Sequence, residues 1–329
     1  MQILYPRISL CCLFLVITLS LSAQTDATKG FFHPADTFHK GRFWTGVGIG
    51  SSVYTASMIG LSQIWYADFE RTSFQFFNDQ GEWLNMDKIG HLYSAYFESY
   101  LAYRGFRWAG CRRDRSIWGG IIVGSALQAS IEVLDGFSEK WGFSIPDIAY
   151  NTAGVGLFAA QEWLWQEQRI IVKVSSSPVN YPDAFATSSN GTLYSLQERA
   201  DELYGSYPAA FFKDYNAMTL WASVDIGAFL PKRKGFPRWL SLALGYSAHN
   251  LYGGFENSWE ADGETFSLNP AIYPRYAQFY LSPDINWNRI PTRSPGLKVI
   301  FSLLNLLKFP APALEFNKEQ GFRLHPLRF

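Results

Sequence analysis

Residues 86–156 read MDKIGHLYSAYFESYLAYRGFRWAGCRRDRSIWGGIIVGSALQASIEVLDGFSEKWGFSIPDIAYNTAGVG. This stretch decides the fold because it holds three apolar segments of helical length, each with polar side chains one helical turn apart. The pairs are Asp87 with His91, Glu132 with Asp135, and Asp147 with Asn151. Since residues three or four apart share a helix face, each pair points to one side. We expect the three faces to meet in one polar site.

Burying carboxylates in such apolar segments costs on the order of several kcal/mol each unless they are paired, protonated or ligated. Two hypotheses therefore stay open for the six candidate residues. In the favoured one, they form a structural or binding network, with Lys88 as a partner, that fixes the register of the helices. In the other, His91 is a base or ligand of an enzyme and the acids Asp87, Glu132, Asp135 and Asp147 share a divalent metal or divide acid and base roles, with Asn151 beside them.

The candidate metal ligands of the second hypothesis are Asp87, His91, Glu132 and Asp147. A hard divalent cation fits this set better than zinc, because only one histidine is present. No nucleophile motif, redox pair or cofactor fingerprint accompanies it. The substrate of such an enzyme would be a lipid-linked or other envelope molecule.

The amino terminus has the features of a secretory signal peptide over residues 1–23. A basic Arg7 precedes the apolar run Ile8 to Leu21, and the small residues Ser22-Ala23 follow, with cleavage expected after Ala23. No cysteine stands at the cleavage point, so the lipoprotein pattern is absent. Cys111 would be the only cysteine of the mature chain, which excludes an intrachain disulfide.

The composition favours a chain that meets lipid, since 48% of residues are hydrophobic and 17% aromatic, against 17% charged with net charge +0. Neither a nucleic-acid nor a nucleotide partner is expected. Gly46, Gly48 and Gly50 lack the Lys-Ser/Thr of a phosphate loop. They belong to an apolar stretch, Phe43 to Ala67, that is long enough to cross a bilayer. The pairs Gly46/Gly50 and Gly120/Gly124 predict close helix packing.

Five arginines between Arg104 and Arg115 form a predicted loop. If the flanking helices crossed the inner membrane after a cleaved signal, this loop would lie outside, against the positive-inside rule. The conflict favours a periplasmic or outer-membrane-associated protein, or arginines that bind anionic headgroups. An inner-membrane location stays the alternative within the cell envelope.

The predicted fold is α+β. About four apolar helices form a membrane-embedded or membrane-associated bundle over residues 40–168, residues 175–192 are a Ser/Pro/Asn-rich linker, and residues 193–329 hold a helix and a small antiparallel sheet. Asn85 and Ser144 are expected helix N-caps. The helix is expected at Leu193 to Tyr204, and period-two alternation predicts strands from Met218, Leu240 and Ala277. Outside the cluster, His249 and His325 are expected to be core or surface residues.

The order of these motifs resembles a known pattern. Asp87-Lys88-x-x-His91, Glu132-x-x-Asp135 and Ser144-x-x-Asp147-x-x-x-Asn151-x-x-Gly154 resemble the VanZ-like membrane proteins. They are more similar still to the family called domain of unknown function 2279, the YfiM-like predicted periplasmic lipoproteins, over about residues 70–165. The resemblance implies an envelope location and a polar site. The absence of a cysteine at the cleavage point departs from the lipoprotein pattern.

Overall fold

The computed structural model describes residues 30–63, 70–205, 210–230 and 237–328. The expected signal peptide lies outside these residues. The described helices are α1 (Lys40–Leu61), α2 (Met86–Trp108), α3 (Arg113–Asp135), α4 (Ile145–Trp165), α5 (Leu196–Tyr204), α6 (Ala210–Lys213), α7 (Ile226–Phe229) and α8 (Pro295–Leu304). The described strands are β1 (Ile170–Ser176), β2 (Phe185–Ser188), β3 (Leu193–Ser195), β4 (Met218–Val224), β5 (Leu240–His249), β6 (Ser258–Ala261), β7 (Glu264–Ser267), β8 (Tyr276–Ile285), β9 (Ala311–Asn317) and β10 (Gly321–Arg328).

Four long helices occupy the amino-terminal half, and antiparallel strands with four shorter helices make up the rest of the described chain, so the predicted α+β class is confirmed. The helices α2, α3 and α4 pack on one another, whereas α1 buries none of its side chains. Among the described helices, α3 alone is long and apolar enough to cross a membrane, a property it shares with core helices of soluble proteins.

Glycines let the three packed helices approach closely. A Cβ at Gly124 would lie 2.1 Å from Ser99 Oγ, and one at Gly154 would lie 2.3 Å from the carbonyl oxygen of Leu92. The packing role predicted for Gly120 and Gly124 is therefore confirmed. Among the described residues, a Cβ at Gly46 or Gly50 would meet nothing within 4 Å, so these two glycines show no close packing within the described part of the chain.

The strands form two sheets. A six-stranded sheet has the order β1-β4-β5-β8-β9-β10, and a four-stranded sheet has the order β3-β2-β7-β6. The three strands predicted from alternation are β4, β5 and β8, and Pro283 is accommodated inside β8 opposite Leu242. The segment 175–192, which composition assigns to a linker, contains the end of β1 and all of β2.

Two helix ends differ from the sequence predictions. The arginine-rich loop is short, because α2 continues to Trp108 and α3 already begins at Arg113. Asn85 does precede α2, but its side chain does not cap the helix. Its backbone is left-handed, with φ 62°, and its side-chain oxygen accepts a hydrogen bond from Gly81 N at 2.9 Å. The predicted cap at Ser144 is confirmed, since Ser144 Oγ accepts from Asp147 N at 3.0 Å.

The close contact at Gly154 can be tested against a neighbour in the same helix. We expect Gly154→Ala to lower the free energy of unfolding by about 1–3 kcal/mol, because its methyl group would displace the backbone of α2. Gly156→Ala is the matched control, since a Cβ at Gly156 meets nothing within 4 Å. It should be neutral or add up to about 1 kcal/mol of stability through helix propensity. Denaturant unfolding followed by circular dichroism measures both, and equal values would contradict the predicted close contact.

Candidate functional site

The candidate site lies where the first turns of α2 and α4 meet the last turns of α3. Helical spacing puts Asp87, Lys88 and His91 at the start of α2, while Asp147 and Asn151 occupy the first two turns of α4. The Ser144 cap sets the start of α4 and thereby the position of Asp147. The three polar faces therefore converge, as their spacing predicts.

Lys88 is the centre of one half of the site. Its side chain is fully buried, and its Nζ lies 2.6 Å from Asp79 Oδ2, 2.8 Å from Asp87 Oδ2 and 2.7 Å from Asp147 Oδ1. An ammonium group without water needs such compensation, because an unpaired buried charge is strongly destabilising. Three carboxylates from three chain segments provide it.

His91 is the centre of the other half, and its side chain is 16% exposed. Its Nδ1 lies 3.4 Å from Glu132 Oε1 and 3.3 Å from Asn151 Oδ1. Its Nε2 lies 3.8 Å from Asp87 Oδ1 and 3.7 Å from Asp147 Oδ2. One imidazole thus faces three carboxylates and one amide, and only its outer edge reaches the surface.

Five of the six predicted residues surround this imidazole or provide it: Asp87, His91, Glu132, Asp147 and Asn151. The sixth, Asp135, lies one turn beyond Glu132 at the end of α3 and acts on the site through its charge, which raises the pKa of Glu132. The spacing on α3 puts Glu132 and Asp135 on one helix face. Of the two, Glu132 is the one whose carboxylate lies beside His91.

Two contributors lie outside the helical motif. Asp79 belongs to the segment before α2 and accepts a hydrogen bond from Ser144 Oγ at 2.6 Å, in addition to the Lys88 contact. Tyr215, between α6 and β4, donates to Asp87 Oδ1 at 3.0 Å. Sequence reasoning missed both because neither belongs to a periodic segment. Both lie among polar neighbours in short connecting segments, so the sequence gives no distinct signal for either.

Charge and burial shift the acid-base equilibria of the site. Burial alone would lower the pKa of His91, but the charges of Asp87, Asp147 and Glu132 outweigh it and raise the pKa to about 9. Burial, with the charges of Asp147 and Asp135, raises the pKa of Glu132 to about 8 against the attraction of His91. At neutral pH the site therefore holds a protonated imidazole beside a protonated Glu132.

The two aspartates of the site differ. Burial raises the pKa of Asp147 to about 6, with help from the charge of Asp87 and against the attraction of His91 and Lys88. Burial would also raise the pKa of Asp87, but His91, Lys88 and the Tyr215 hydroxyl reverse the effect and lower it. Both are ionised at neutral pH, and burial of Lys88 is outweighed by these charges, so its pKa is raised.

Three groups could hold a metal ion. Asp87, His91 and Asp147 each offer one ligand atom, and these atoms lie within 4.8 Å of one another. Carboxylate oxygens suit a hard divalent cation, and one imidazole is compatible with it. However, the same two aspartates already contact the Lys88 ammonium, and His91 would have to lose its proton before binding.

The proton on His91 predicts a falling stability at alkaline pH. Because its pKa is raised from 6.5 to about 9, its contribution is complete below pH 6.5 and is lost as the pH rises through 9. The pKa values of Glu132 and Asp147 are also raised, so these groups too lower the free energy of unfolding as the pH rises. The loss is complete near pH 8 for Glu132 and near pH 6 for Asp147. We expect the titration of His91 alone to lower the free energy of unfolding on the order of 2–3 kcal/mol between pH 6.5 and 9, and Glu132 to add to this loss.

Denaturant unfolding at several pH values measures this slope. His91→Gln should flatten it, and His33→Gln is the matched control because His33 lies exposed outside the site. An unchanged slope in His91→Gln would show that the imidazole proton does not contribute to stability.

Comparison with known proteins gives one match. Residues 75–161 match the model of the family DUF2279, described as a predicted periplasmic lipoprotein. No curated protein and no solved structure matches the chain. The matched residues include Lys88 and all six predicted site residues. The predicted resemblance to the DUF2279 family is thus confirmed for this segment, and the description of the family supports a location in the cell envelope.

Proposed function

We propose that the helical domain has a structural and binding role in the cell envelope, in which Lys88 serves as an internal cation. The observation that carries the proposal is the fully buried ammonium with three carboxylates between 2.6 and 2.8 Å. These carboxylates come from the segment before α2, from α2 and from α4. Lys88 therefore ties three segments together at the point where the helices converge.

The protonation states support a network over a resident metal. With the pKa of His91 raised to about 9, a metal at pH 7 would have to displace a proton held two pKa units above the solvent pH. That displacement lowers metal affinity about a hundredfold. The metal would also compete with the Lys88 ammonium for Asp87 and Asp147.

The outer edge of the site supports a binding role for cationic groups. Four carboxyl groups (Asp79, Asp87, Asp147 and Glu132) surround two basic groups, Lys88 and His91, so acidic groups outnumber basic ones. The side chain of Asp87 is 25% exposed and lies at this edge. A cationic group of an envelope component can reach it without disturbing Lys88.

The second candidate function is a membrane-associated enzyme that uses a metal or acid-base pair on a lipid-linked or envelope substrate. The 4.8 Å grouping of Asp87, His91 and Asp147 favours it. In that case His91 is a proton donor at neutral pH, because its raised pKa keeps it protonated. Glu132, with its pKa raised to about 8, is the second group poised for proton transfer.

Replacing Lys88 tests the internal cation. We expect Lys88→Met to lower the free energy of unfolding by about 3–5 kcal/mol, because it leaves three carboxylates buried without their cation. Lys318→Met is the matched control, since that side chain is 68% exposed. The double variant Lys88→Met/Asp147→Asn should recover part of the loss. Denaturant unfolding measures all three, and a Lys88→Met protein as stable as wild type would refute the proposal.

Metal content separates the two candidate functions. Detergent-purified wild type, His91→Ala and Asp87→Asn are equilibrated with Mn²⁺ at pH 7, desalted and measured by elemental mass spectrometry. The network predicts substoichiometric metal in all three proteins. One metal per wild-type chain, lost in both variants, would overturn the network and establish the metal site of the second candidate.

A further inference from the structure

The six-stranded sheet has two faces of opposite character. One row of paired residues crosses all of its strands on one face: Lys173, Trp221, Gly245, Tyr280, Glu315 and Arg323. The next row lies on the other face: Val172, Ala222, Leu244, Leu281, Leu314 and Leu324. We call the first the polar face and the second the apolar face. Because side chains alternate along each strand, the further rows also lie in turn on the polar face and on the apolar face.

The polar face is turned inward. Lys173 on β1 contacts Asp284 on β8 at 2.7 Å, although β4 and β5 lie between these strands. In a flat sheet, three strand spacings would separate them by about 14 Å. Arg328 on β10 likewise reaches Thr219 Oγ1 on β4 at 3.2 Å. The sheet is therefore strongly curled around its polar side chains.

Two clusters of enclosed polar groups pair within the curled sheet. Glu315 is 1% exposed and accepts from Gln278 and Asn317, both at 2.6 Å, and its Oε2 lies 2.5 Å from His325 Nε2. Asp284 pairs with Lys173 and accepts from a serine hydroxyl. This interior is a hydrogen-bonded polar core, which a sheet in water usually places on its solvent side.

The apolar face is covered only in part. At β1 and β4, Val174 and Leu220 pack against Trp83 and Met86 from the start of the helical domain. At the end of β5, Ala248 and Tyr246 belong to the same core, and the rest of the apolar face from β5 to β10 is left open by the described residues. Its seven most prominent side chains are 41–74% exposed: Leu244, Phe279, Leu281, Leu314, Phe316, Phe322 and Leu324. Such a patch, on the order of several hundred Å², marks an interaction surface.

The pattern of this surface matches lipid better than a protein partner. The positions that point to the apolar face in β5, β8, β9 and β10 carry no charged residue, whereas protein interfaces have a polar rim. An aromatic row, Tyr246, Phe279, Phe316 and Phe322, crosses one end of the band.

The height of the band agrees with this interpretation. On β8, eight positions separate Ala277 from Ile285, both on the apolar face, which corresponds to about 27 Å of extended chain. An apolar band of about 25 Å between aromatic girdles is typical of sheets in membranes. Exposed apolar residues are also present on α1, where Trp44, Ile49 and Val53 are 50–60% exposed. A bilayer covers both surfaces, whereas a second copy would have to cover two separate ones.

We infer that the apolar face of β5, β8, β9 and β10 lies against the hydrocarbon chains of a lipid bilayer. The sheet then holds the protein at an envelope membrane with its polar core turned away from lipid. This inference is independent of the Lys88 network, because no residue of that network lies on the apolar face.

Site-directed probes test the contact in the full chain. In a Cys111→Ser background, an environment-sensitive fluorophore is attached to Leu281→Cys or Leu244→Cys, and the protein is reconstituted into phosphatidylcholine/phosphatidylglycerol vesicles with brominated acyl chains. Glu260→Cys on β6 is the matched control, since Glu260 is exposed on a strand of the other sheet. We expect a blue shift and strong quenching at both leucine positions and neither at position 260.

A charge substitution gives a second measurement. Leu281→Glu should reduce the vesicle-bound fraction in flotation about tenfold or more, because a charge on a lipid-facing strand is strongly unfavourable. Leu281→Ala should reduce it much less. Unquenched probes at positions 244 and 281 would overturn the inference. If those probes are also protected in a dimer detected by light scattering, a second copy covers the face instead of lipid.

Discussion

The buried ammonium of Lys88 is the interaction on which the helical domain depends. A lysine without access to water is tolerable only when carboxylates compensate its charge, and here three do so at 2.6 to 2.8 Å. Those carboxylates belong to segments that must be in place together. Ser144 adds a further link, because its hydroxyl binds Asp79 and also caps the helix that carries Asp147. The same ion pairs therefore hold the helices together and form the candidate site.

The helical domain and the large sheet are also joined. Trp83 and Met86, immediately before the site, share a core with Val174 and Leu220 of the sheet, and the Tyr215 hydroxyl binds Asp87. The helices thus cover one part of an apolar sheet face whose opposite face is polar and enclosed. Both halves of the protein have ion-paired polar cores, and both expose apolar side chains. Exposed apolar side chains of this extent mark interaction surfaces.

The sequence predictions that the structure confirms rest on local patterns. Ser144 caps α4 because a serine oxygen at that position can reach the amide of Asp147, and β4, β5 and β8 alternate because neighbouring side chains in a strand face opposite sides. Short strands such as β2, with four residues, are too brief to display a period. The arginine-rich end of α2 was mistaken for a loop, since charge suggested solvent while the backbone stayed helical to Trp108.

The sequence by itself determined which polar groups share a helix face, because a spacing of three or four residues is a property of the helix alone. It therefore identified Asp87 with His91 and Asp147 with Asn151. Only the tertiary structure decided that Lys88 is fully buried, that Asp79 pairs with it and that Tyr215 reaches Asp87 across 128 positions. The physical reason is that such contacts depend on where the chain reverses and packs, and no local spacing encodes the distance between segments that far apart.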